Sequence, residues 1–410
     1  MGPGVVGERV LVSVPSPEAR APGRWDVGMV SHLYLEAPGR RADDARPLPH
    51  PEEWAALLGA ERALREARGV RIHPGLTSVL VGGGAPTALG PDLPGRVREV
   101  VGTDVAPAEW TVEVEGGAAT DRGELLARHA KDWVDSGVTR LCVRAEPVPD
   151  VGGWSPRRLE LLGRLAEVES GVLAADLLVR PAHDSIEDLL RLVDRMVRMG
   201  VSHLSIHEDS TGGDSRRDDS SRDDWSGGRP KGEGSRESPG EDDQLARLWV
   251  QLDERVSALG FVSTDLVNRA RPGAESEMAR AIVRRRPILG LGPGARSFRN
   301  PRRRWNVPTW KQYRARIRAG RDPVEDGEIL TRPEVRMERI WLRLQTAEGL
   351  PLPEALDLGG TRLRAWVEAG WVRVRSGRLQ LTPEGLLRLD GIAVEVAERL
   401  PAPRRRASDL

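Results

Sequence analysis

The chain has 410 residues, enough for one large domain and a smaller one with a substantial buried core. Its 62 basic and 62 acidic residues cancel, so no overall charge attracts nucleic acid or an anionic membrane surface. No apolar run reaches about 18 residues, and the N-terminus lacks the basic-then-apolar order of a signal peptide. These features predict a cytoplasmic protein without membrane insertion.

After a predicted N-terminal extension over residues 1–30, short β-rich segments alternate with helical ones. The predicted strands cover residues 33–36, 78–83, 109–115, 140–146, 172–181 and 203–208. Residues 51–68 and 185–200 repeat apolar side chains at three- and four-residue spacing, which predicts helices. This order indicates a parallel sheet with right-handed crossovers, doubly wound or curled into a barrel, whose chemistry sits at the carboxyl ends of the strands.

Residues 209–244 are nearly free of apolar side chains and rich in Ser, Gly, Asp and Arg. Such a composition buries too little surface to offset the entropy of ordering the chain. It predicts a disordered insertion, with a charged recognition segment as the alternative. A helical pattern at 245–261 and a strand-like run at 261–266 follow it.

From about residue 325 helical patterns dominate, and residues 371–381 read as a hairpin turning at Ser376 and Gly377. A closing helix begins at Thr382, with Pro383 at its first position. This order suggests a winged-helix-like domain over 325–400, followed by a basic tail at 401–410. No compact basic recognition helix is present, so nucleic-acid binding is not favoured, and the arginine runs at 284–286, 302–304 and 404–406 are expected to be solvated or salt-bridged.

Two glycine-rich stretches follow predicted apolar runs. "LVGGGAPTAL" contains Gly82, Gly83, Gly84 and Pro86, and "LGLGPGARSF" contains Gly290, Gly292 and Gly294. Glycine at such positions lets the backbone approach a ligand closely, although a tight turn after a strand needs glycine as well. Neither stretch matches a P-loop or the dinucleotide-binding fingerprint.

Taken in order, eight segments resemble the radical-SAM coproporphyrinogen dehydrogenase family, closest to its heme chaperones of the HemW type. They read SVLVGGGAPTAL, EWTVEVEGG, GVTRLCVRAE, HLSIHE, NRARPGAES, GLGPGARSF, RRWNV and LTPEGLLRLDG. The family versions run approximately GGGTPS, TLEANPG, GVNRLSLGVQ, HLSLYQL, NFARPGYES, GLGPGAHSY, RRWNV and LTPRGLLLLN. The resemblance extends from about residue 33 to 400. It implies an α/β fold: a partial six-stranded parallel β/α barrel over 31–300 and a smaller C-terminal winged-helix-like domain.

In this family the first strand is followed by CxxxCxxC, whose thiolates hold a [4Fe-4S] cluster that cleaves S-adenosylmethionine (SAM). The matching positions here are Arg40, Asp44 and Pro47. Neither a guanidinium nor a proline ring binds iron, and one aspartate does not replace three sulfurs. The one cysteine, Cys142, lies in an apolar run and is expected to be a buried, inert thiol. The chain is therefore expected to hold no [4Fe-4S] cluster.

The resemblance also implies a residual SAM-type pocket. Its candidate residues are Gly82, Gly83, Gly84, Pro86, Glu113, Glu146, Asp176, Gly292 and Gly294. In the family, the glycine turn meets the amino-acid end of SAM, and a carboxylate at the position of Glu113 can receive an ammonium or ribose hydroxyl. Glu146 replaces a glutamine, which adds a charge. The alternative for Glu113 and Asp176 is a polar strand end saturated by neighbouring backbone.

The heme chaperones also carry HNxxYW after PGYES, and here Met278 replaces the histidine of that motif. Met278 is either an axial heme ligand or filler in the core or on the surface. His203 and His207 share a face of one predicted strand, which allows a two-histidine contact to a metal or heme or, alternatively, one buried and hydrogen-bonded histidine. Residues 155–170 read as a barrel helix, which makes Arg164 a helix-surface residue rather than part of a family LGR motif.

The leading hypothesis is a HemW-like pseudoenzyme that binds heme, SAM or a protein partner in tetrapyrrole or heme handling. One alternative is a coproporphyrinogen III oxidase-like enzyme that acts without its own cluster, based on the retained glycine turn, Glu113 and Asp176. Another is an interaction or regulatory protein that uses the winged-helix-like domain. The sequence alone does not choose the ligand.

Overall fold

The fold is described from a computed structural model. It describes residues 28–39, 48–102, 106–115, 122–146, 150–180, 183–208, 239–352 and 359–399. The predicted N-terminal extension before residue 28, the basic tail and most of the 209–244 insertion lie outside this part of the chain. So do Arg40, Asp44 and Pro47, the positions matched to the family's cysteines.

Strands and helices alternate through the first 300 residues. The strands are β1 (Gly28–Val30), β2 (His32–Ala37), β3 (Val70–Ile72), β4 (Ser78–Gly83), β5 (Glu109–Val114), β6 (Arg140–Val143), β7 (Val172–Val179), β8 (His203–Glu208), β9 (Val262–Ser263), β10 (Asn268–Ala270), β11 (Ile288–Leu291), β12 (Arg296–Arg299), β13 (Arg302–Asn306), β14 (Val324–Ile329), β15 (Leu350–Pro351), β16 (Val372–Arg375) and β17 (Arg378–Leu381). The helices are α1 (Pro51–Ala67), α2 (Leu93–Val101), α3 (Arg122–Asp135), α4 (Pro156–Ala166), α5 (Ile186–Arg198), α6 (Pro239–Ala258), α7 (Glu277–Val283), α8 (Trp310–Arg318), α9 (Arg332–Leu344), α10 (Gly359–Glu368), α11 (Pro383–Leu386) and α12 (Leu389–Arg399). Two short 3₁₀ helices cover Pro86–Leu89 and Val151–Gly153.

The large sheet has twelve strands in the order β14-β13-β12-β11-β2-β4-β5-β6-β7-β8-β10-β9. The six predicted strands all form, as β2, β4, β5, β6, β7 and β8, and they pair in parallel in chain order. The predicted count of six is not confirmed, because β11 pairs in parallel with β2 and adds a seventh. Its last three residues open the glycine-rich stretch LGLGPGARSF, for which the sequence analysis predicts no strand.

Side chains of the parallel strands alternate between an apolar and a polar face, as a two-residue period requires. Leu33, Leu35, Val79, Val81 and Val112 belong to the main apolar core with the surrounding helices. The alternate positions carry His32, Glu36, Ser78, Glu109, Thr111, Glu113, Arg140, Cys142, Arg144, Asp176, His203, Ser205 and His207. The sheet therefore packs its helices with one face and presents chemistry on the other.

Two of the helices between the parallel strands begin where the sequence predicts. The Ser185 hydroxyl accepts a hydrogen bond from the Asp188 amide at 3.1 Å and caps α5. Ser155 caps α4 in the same way at 3.3 Å, so the helix predicted over 155–170 forms, but it ends at Ala166. Arg164 lies on the surface of α4 and pairs with Glu160 at 2.8 Å, which confirms its interpretation as a surface residue.

Two predicted boundaries shift in the structure. Helix α6 starts at Pro239, so the last six residues of the predicted 209–244 insertion are helical. Proline and acidic residues favour the first turn of a helix even in a stretch without apolar side chains. Strand β14, which overlaps the start of the domain predicted over 325–400, pairs with β13 in the large sheet.

The C-terminal unit has its own apolar core, which includes Ile340, Leu344, Trp366 and Leu379. Its three-stranded sheet has the order β15-β17-β16. The hairpin turns at Ser376 and Gly377 as predicted, with φ of 51° and 68°. The Thr382 hydroxyl accepts from the Gly385 amide at 3.1 Å, but the expected single closing helix is divided into α11 and α12.

The helices of the described ranges do not include one with both the length and the apolar character needed to cross a membrane.

Candidate functional site at the carboxyl ends of the parallel strands

Polar groups converge where β2, β4, β5, β6 and β7 end. In parallel sheets these strand ends form the edge at which ligands bind. Gly82 and Gly83 close β4, while Glu113 and Cys142 are paired neighbours on β5 and β6. The site is described below from the glycine turn outward.

The glycine turn, Gly82 to Gly84, is pressed against groups on neighbouring strands. A Cβ atom at Gly82 would lie 2.8 Å from the Glu113 carboxylate. A Cβ at Gly83, whose φ is +79°, would overlap the Glu36 carboxylate, and one at Gly84 would overlap the backbone of Gly39. The Ala85 amide also donates to the Pro38 carbonyl at 3.0 Å. Glycine is therefore required at Gly83 by its positive φ and at Gly84 by close approach to backbone, as the sequence motif predicts, whereas a side chain at Gly82 would require the Glu113 carboxylate to move.

Glu113 and Arg144 hold the backbone of Gly83 from two sides. The Gly83 amide donates to Glu113 Oε2 at 3.0 Å. Arg144 Nη1 donates to the Gly83 carbonyl and lies 3.5 Å from Glu113 Oε2. Glu113 is thus bonded to the backbone of the turn, which is what the alternative interpretation of this residue expects. Sequence reasoning did not single out Arg144.

Glu36 is a second carboxylate at the turn that the sequence analysis did not identify. Tyr34 Oη donates to Glu36 Oε2 at 2.6 Å, and Trp54 Nε1 donates to the Glu36 carbonyl at 2.9 Å. A charged residue at an alternate position of an apolar strand is a signal that would have indicated it.

Glu115, at the end of β5, forms the third acidic group of the site. The Thr87 hydroxyl donates to Glu115 Oε1. Burial raises the pKa of Glu115 to about 7, and the Thr87 hydrogen bond opposes the rise. The other oxygen, Oε2, is buried and has no hydrogen-bond partner within the described ranges.

Asp176 is engaged with the one cysteine of the chain. Cys142 Sγ donates to Asp176 Oδ1 at 3.6 Å, and Trp154 Nε1 donates to the Asp176 carbonyl at 2.7 Å. Burial raises the pKa of the Cys142 thiol well above its usual value, and the charge of Asp176 adds to the rise. A thiol held protonated in this way is a poor nucleophile and a poor metal ligand, which supports the expectation of an inert thiol. The residue is half-buried rather than buried as expected.

Glu146 lies beyond β6 and is tied to α4. Its carboxylate pairs with the buried guanidinium of Arg158, and its amide donates to the Gly153 carbonyl at 3.0 Å. Its predicted role in a SAM-type pocket stays a prediction, as do those of Pro86 and Asp176.

Gly292 and Gly294 are held in a different network. The Gly292 amide donates to Glu61 Oε2 at 2.9 Å, and Asn306 Nδ2 donates to the Gly292 carbonyl at 2.7 Å. Tyr313 Oη also donates to Glu61 Oε2 at 2.8 Å, and the Gly294 amide donates to the Val307 carbonyl at 2.9 Å. These bonds give both glycines a structural role beside the site, in addition to the binding role predicted from sequence.

Met278 and His203 are both core residues. Met278 is 6% exposed and packs with Ala281 and Ile288 against Tyr34 and Leu80, which confirms the core interpretation rather than that of an axial ligand.

His203 Nε2 lies 2.9 Å from Asn268 Oδ1 and Nδ1 lies 3.2 Å from the Ala274 carbonyl, while burial lowers the pKa of this histidine to about 3. His207 shares its strand face but lies four residues away, about 13 Å along a strand. The prediction that both histidines contact one metal ion or heme is therefore wrong, because both ligands must lie about 2 Å from the metal ion.

The donor set does not fit the iron–sulfur cluster implied by the resemblance. That cluster needs three thiolates, whereas the sequence has one cysteine. Cys142 lies on β6 and bonds to Asp176, away from the strand β2 that the family's cysteine loop follows. Across the described ranges, no group of three or more His, Cys, Asp or Glu side chains could hold a metal ion.

Comparison with known proteins identifies two similar proteins. The chain is 28% identical over 355 residues to the heme chaperone HemW of Mycobacterium tuberculosis strain CDC 1551 / Oshkosh, and the match covers 83% of this chain and 85% of the relative. HemW of strain ATCC 25618 / H37Rv matches to the same extent. No family model matches.

The solved structure of coproporphyrinogen III oxidase (HemN) from Escherichia coli, a radical SAM enzyme, has the same fold. It superimposes with a TM-score of 0.62 at 16% identity, covering 92% of this chain and 91% of HemN. The sequence match to HemW, the superposition on HemN and the glycine turn at the end of β4 agree with the motif order. The chain is thus similar to HemW in sequence and to HemN in fold, and both similarities support a radical-SAM coproporphyrinogen oxidase-like family.

Proposed function

We propose that this chain is a HemW-like pseudoenzyme that acts by binding a ligand rather than by radical chemistry. The observation that carries the proposal is the state of its one thiol, Cys142, which is hydrogen-bonded to Asp176 and has a raised pKa. A cluster of the family type has too few thiolates here, so the electron that cleaves SAM has no source within the chain. Glu113 and Asp176, on which a cluster-independent enzyme would depend, are engaged in internal hydrogen bonds.

Heme is the ligand that we infer, because the relatives from Mycobacterium tuberculosis are heme chaperones. Histidine is a common axial ligand of heme iron. His32 is bonded to Ser78 at 2.9 Å and His203 to Asn268, which leaves His207 as the candidate on the polar face of the described parallel strands. Its side chain is partly exposed, one residue before the end of β8. We therefore infer that His207 is the axial ligand and that a protein partner receives the heme.

The supporting experiment is a hemin titration followed by Soret absorbance. Wild type is expected to give a saturable shift, and His207→Ala is expected to weaken binding at least about tenfold. His73→Ala is the matched control, because His73 is exposed in the loop before β4, at the opposite end of the strands. An unsaturable wild-type response, or equal losses in both variants, contradicts heme binding through His207.

A second experiment addresses the pseudoenzyme itself. After anaerobic reconstitution with iron and sulfide, protein-bound iron is expected to stay well below one atom per chain. About four irons per chain with cluster absorbance, the content of one [4Fe-4S] cluster, would overturn this part of the proposal.

We also infer that the parallel strands form a partial β/α barrel and that residues 330–399 form a winged-helix-like domain. The parallel pairing from β11 to β8 supports the first assignment. The three-stranded sheet, with α10 directly before the hairpin of β16 and β17, supports the second.

A further inference from the structure

Two acceptors meet at the end of β4, and they are suited to an ammonium group. The Gly83 carbonyl and the Glu113 carboxylate both contact the same nitrogen, Arg144 Nη1. An ammonium carries three N–H donors and a positive charge, so it can bind a carbonyl and a carboxylate at once. This combination recognises the amino end of an α-amino acid.

Arg144 already fills this position. Its side chain is 21% exposed and that of Glu113 is 20% exposed, so the contact is largely shielded from water. The arginine directly follows β6, which lies two strands from β4, and it reaches across β5 to the Gly83 carbonyl. The guanidinium therefore satisfies, within the chain, the acceptors that a cationic ligand would use.

The surrounding charges favour a cation at this position. Glu36 packs against Gly83, and Glu115 lies close enough for the charge of Arg144 to lower its pKa. Carboxylates grouped in this way repel one another unless a positive group lies among them. Arg144 supplies that group.

We propose that Arg144 is a built-in occupant of an ammonium-binding subsite, so that the folded chain excludes SAM from the glycine turn. The inference deepens the proposed function, since it explains how the same site loses SAM as well as the cluster. A ligand's ammonium must displace a guanidinium that is bound without any loss of translational freedom, which weakens the ligand's binding. Removing the side chain frees both acceptors.

The test measures SAM binding to the full chain by isothermal titration calorimetry. Arg144→Ala is expected to bind SAM at least about tenfold more tightly than wild type, a difference of about 1.4 kcal/mol. Arg144→Ser serves as a second variant if the alanine protein is not folded by circular dichroism. Arg164→Ala, on the exposed surface of α4, is the matched control and should bind as wild type does.

Two further arms isolate the ammonium contact. 5′-Methylthioadenosine lacks the amino-acid end of SAM, so its affinity should be the same for wild type and Arg144→Ala. Adding Glu113→Gln to Arg144→Ala should remove most of the gain in SAM affinity. The inference would be overturned if Arg144→Ala gained affinity equally for SAM and for 5′-methylthioadenosine. It would also be overturned if folded variants bound SAM no more tightly than wild type does.

Hemin titration of the same wild-type sample separates this inference from the proposed function. If Arg144→Ala binds SAM more tightly but wild type does not bind heme, the role of Arg144 is supported and the proposed heme binding is contradicted. If wild type binds heme but Arg144→Ala shows no increase in SAM affinity, heme binding is supported and the role of Arg144 is contradicted.

Discussion

Glu115 shows how a single buried carboxylate couples the site to pH. Burial raises its pKa from 4.5 to about 7 in the folded chain, while the unfolded chain keeps the ordinary value. Between these pH values the Glu115 carboxyl is mostly ionised in the unfolded state and mostly protonated in the folded state. The contribution of Glu115 to stability is therefore fully present below about pH 4.5 and is lost as the pH rises to about 7.

Glu115→Gln should stabilise the protein at neutral and alkaline pH. Glutamine keeps an acceptor for the Thr87 hydroxyl but carries no charge, so it avoids the penalty of ionising a buried group. The expected gain in unfolding free energy is up to about 3 kcal/mol at about pH 8, and close to zero at about pH 4. Denaturant titrations at the two pH values measure it.

Glu167→Gln is the control for this prediction, because Glu167 is exposed just after α4. Its effect should be small at both pH values. A Glu115→Gln gain that is the same at both pH values would contradict an origin in the raised pKa.

Single residues of the site differ in how far the sequence could predict them. The glycine turn and Glu113 follow from strand ends, since a two-residue period identifies both the face and the last residue of each strand. Arg144 lies on the same face by that rule, but its contact with Gly83 depends on the register of three strands and on the length of its side chain. Such a contact is set by tertiary structure and is not visible in local spacing.

At the scale of elements, α7 closes the amino-terminal end of the parallel strands, opposite the site. Glu109, the first residue of β5, accepts from the Glu277 amide at 2.8 Å and from the Met278 amide and the Ser276 hydroxyl, both at 3.2 Å. A carboxylate at a helix N-terminus satisfies amides that lack helical partners and interacts favourably with the helix dipole. Glu109 is 8% exposed, so these bonds are shielded from water.

Glu109→Ala should lower the free energy of unfolding by about 2–4 kcal/mol, because charge-assisted hydrogen bonds to buried amides are lost. Hydrogen exchange should show reduced protection over residues 277–283 before any change in α5. Glu124→Ala is the control, because the Glu124 side chain is 69% exposed and pairs with an equally exposed Arg128. Equal stabilities of the two variants would rule out the capping role.

Elements with strong local signals were predicted well, and those without them were not. The six parallel strands, α5 and the Ser376–Gly377 turn follow from alternation, helical spacing and turn residues. The division between α11 and α12 and the start of α6 were missed, because neither boundary has a distinctive residue pattern. Met278 left two interpretations open, since a methionine at helical spacing looks the same whether it packs or binds.

At the scale of the whole molecule, α9 docks the C-terminal unit onto the large sheet through ion pairs. Glu338 on α9 pairs with Arg285, which follows α7, and with Arg303 on β13. The Arg285 guanidinium also lies 4.9 Å from the centroid of the Phe298 ring. The arginine runs at 284–286 and 302–304 therefore contribute salt-bridged residues to this contact, as predicted for them.

Glu338→Ala should lower the stability of this contact more than the loss of an exposed ion pair would. Arg285, Arg303 and Glu338 are 7%, 12% and 13% exposed, so removing the carboxylate takes a shared partner from two largely buried guanidinium groups. Arg303 keeps its pair with Glu328 at 2.8 Å, whereas Arg285 keeps only a neutral hydrogen-bond partner, Asn300, among the contacts described. Breaking a buried pair in this way costs about 3 kcal/mol or more, whereas an exposed pair contributes about 0.5 kcal/mol.

Glu348→Ala is the matched control, because Glu348 pairs with Arg284 at 2.9 Å but is 56% exposed. Unfolding curves should show an earlier transition for Glu338→Ala alone, with faster proteolysis near residue 330. Equal shifts in the two variants would mean that α9 is held by its apolar contacts rather than by Glu338.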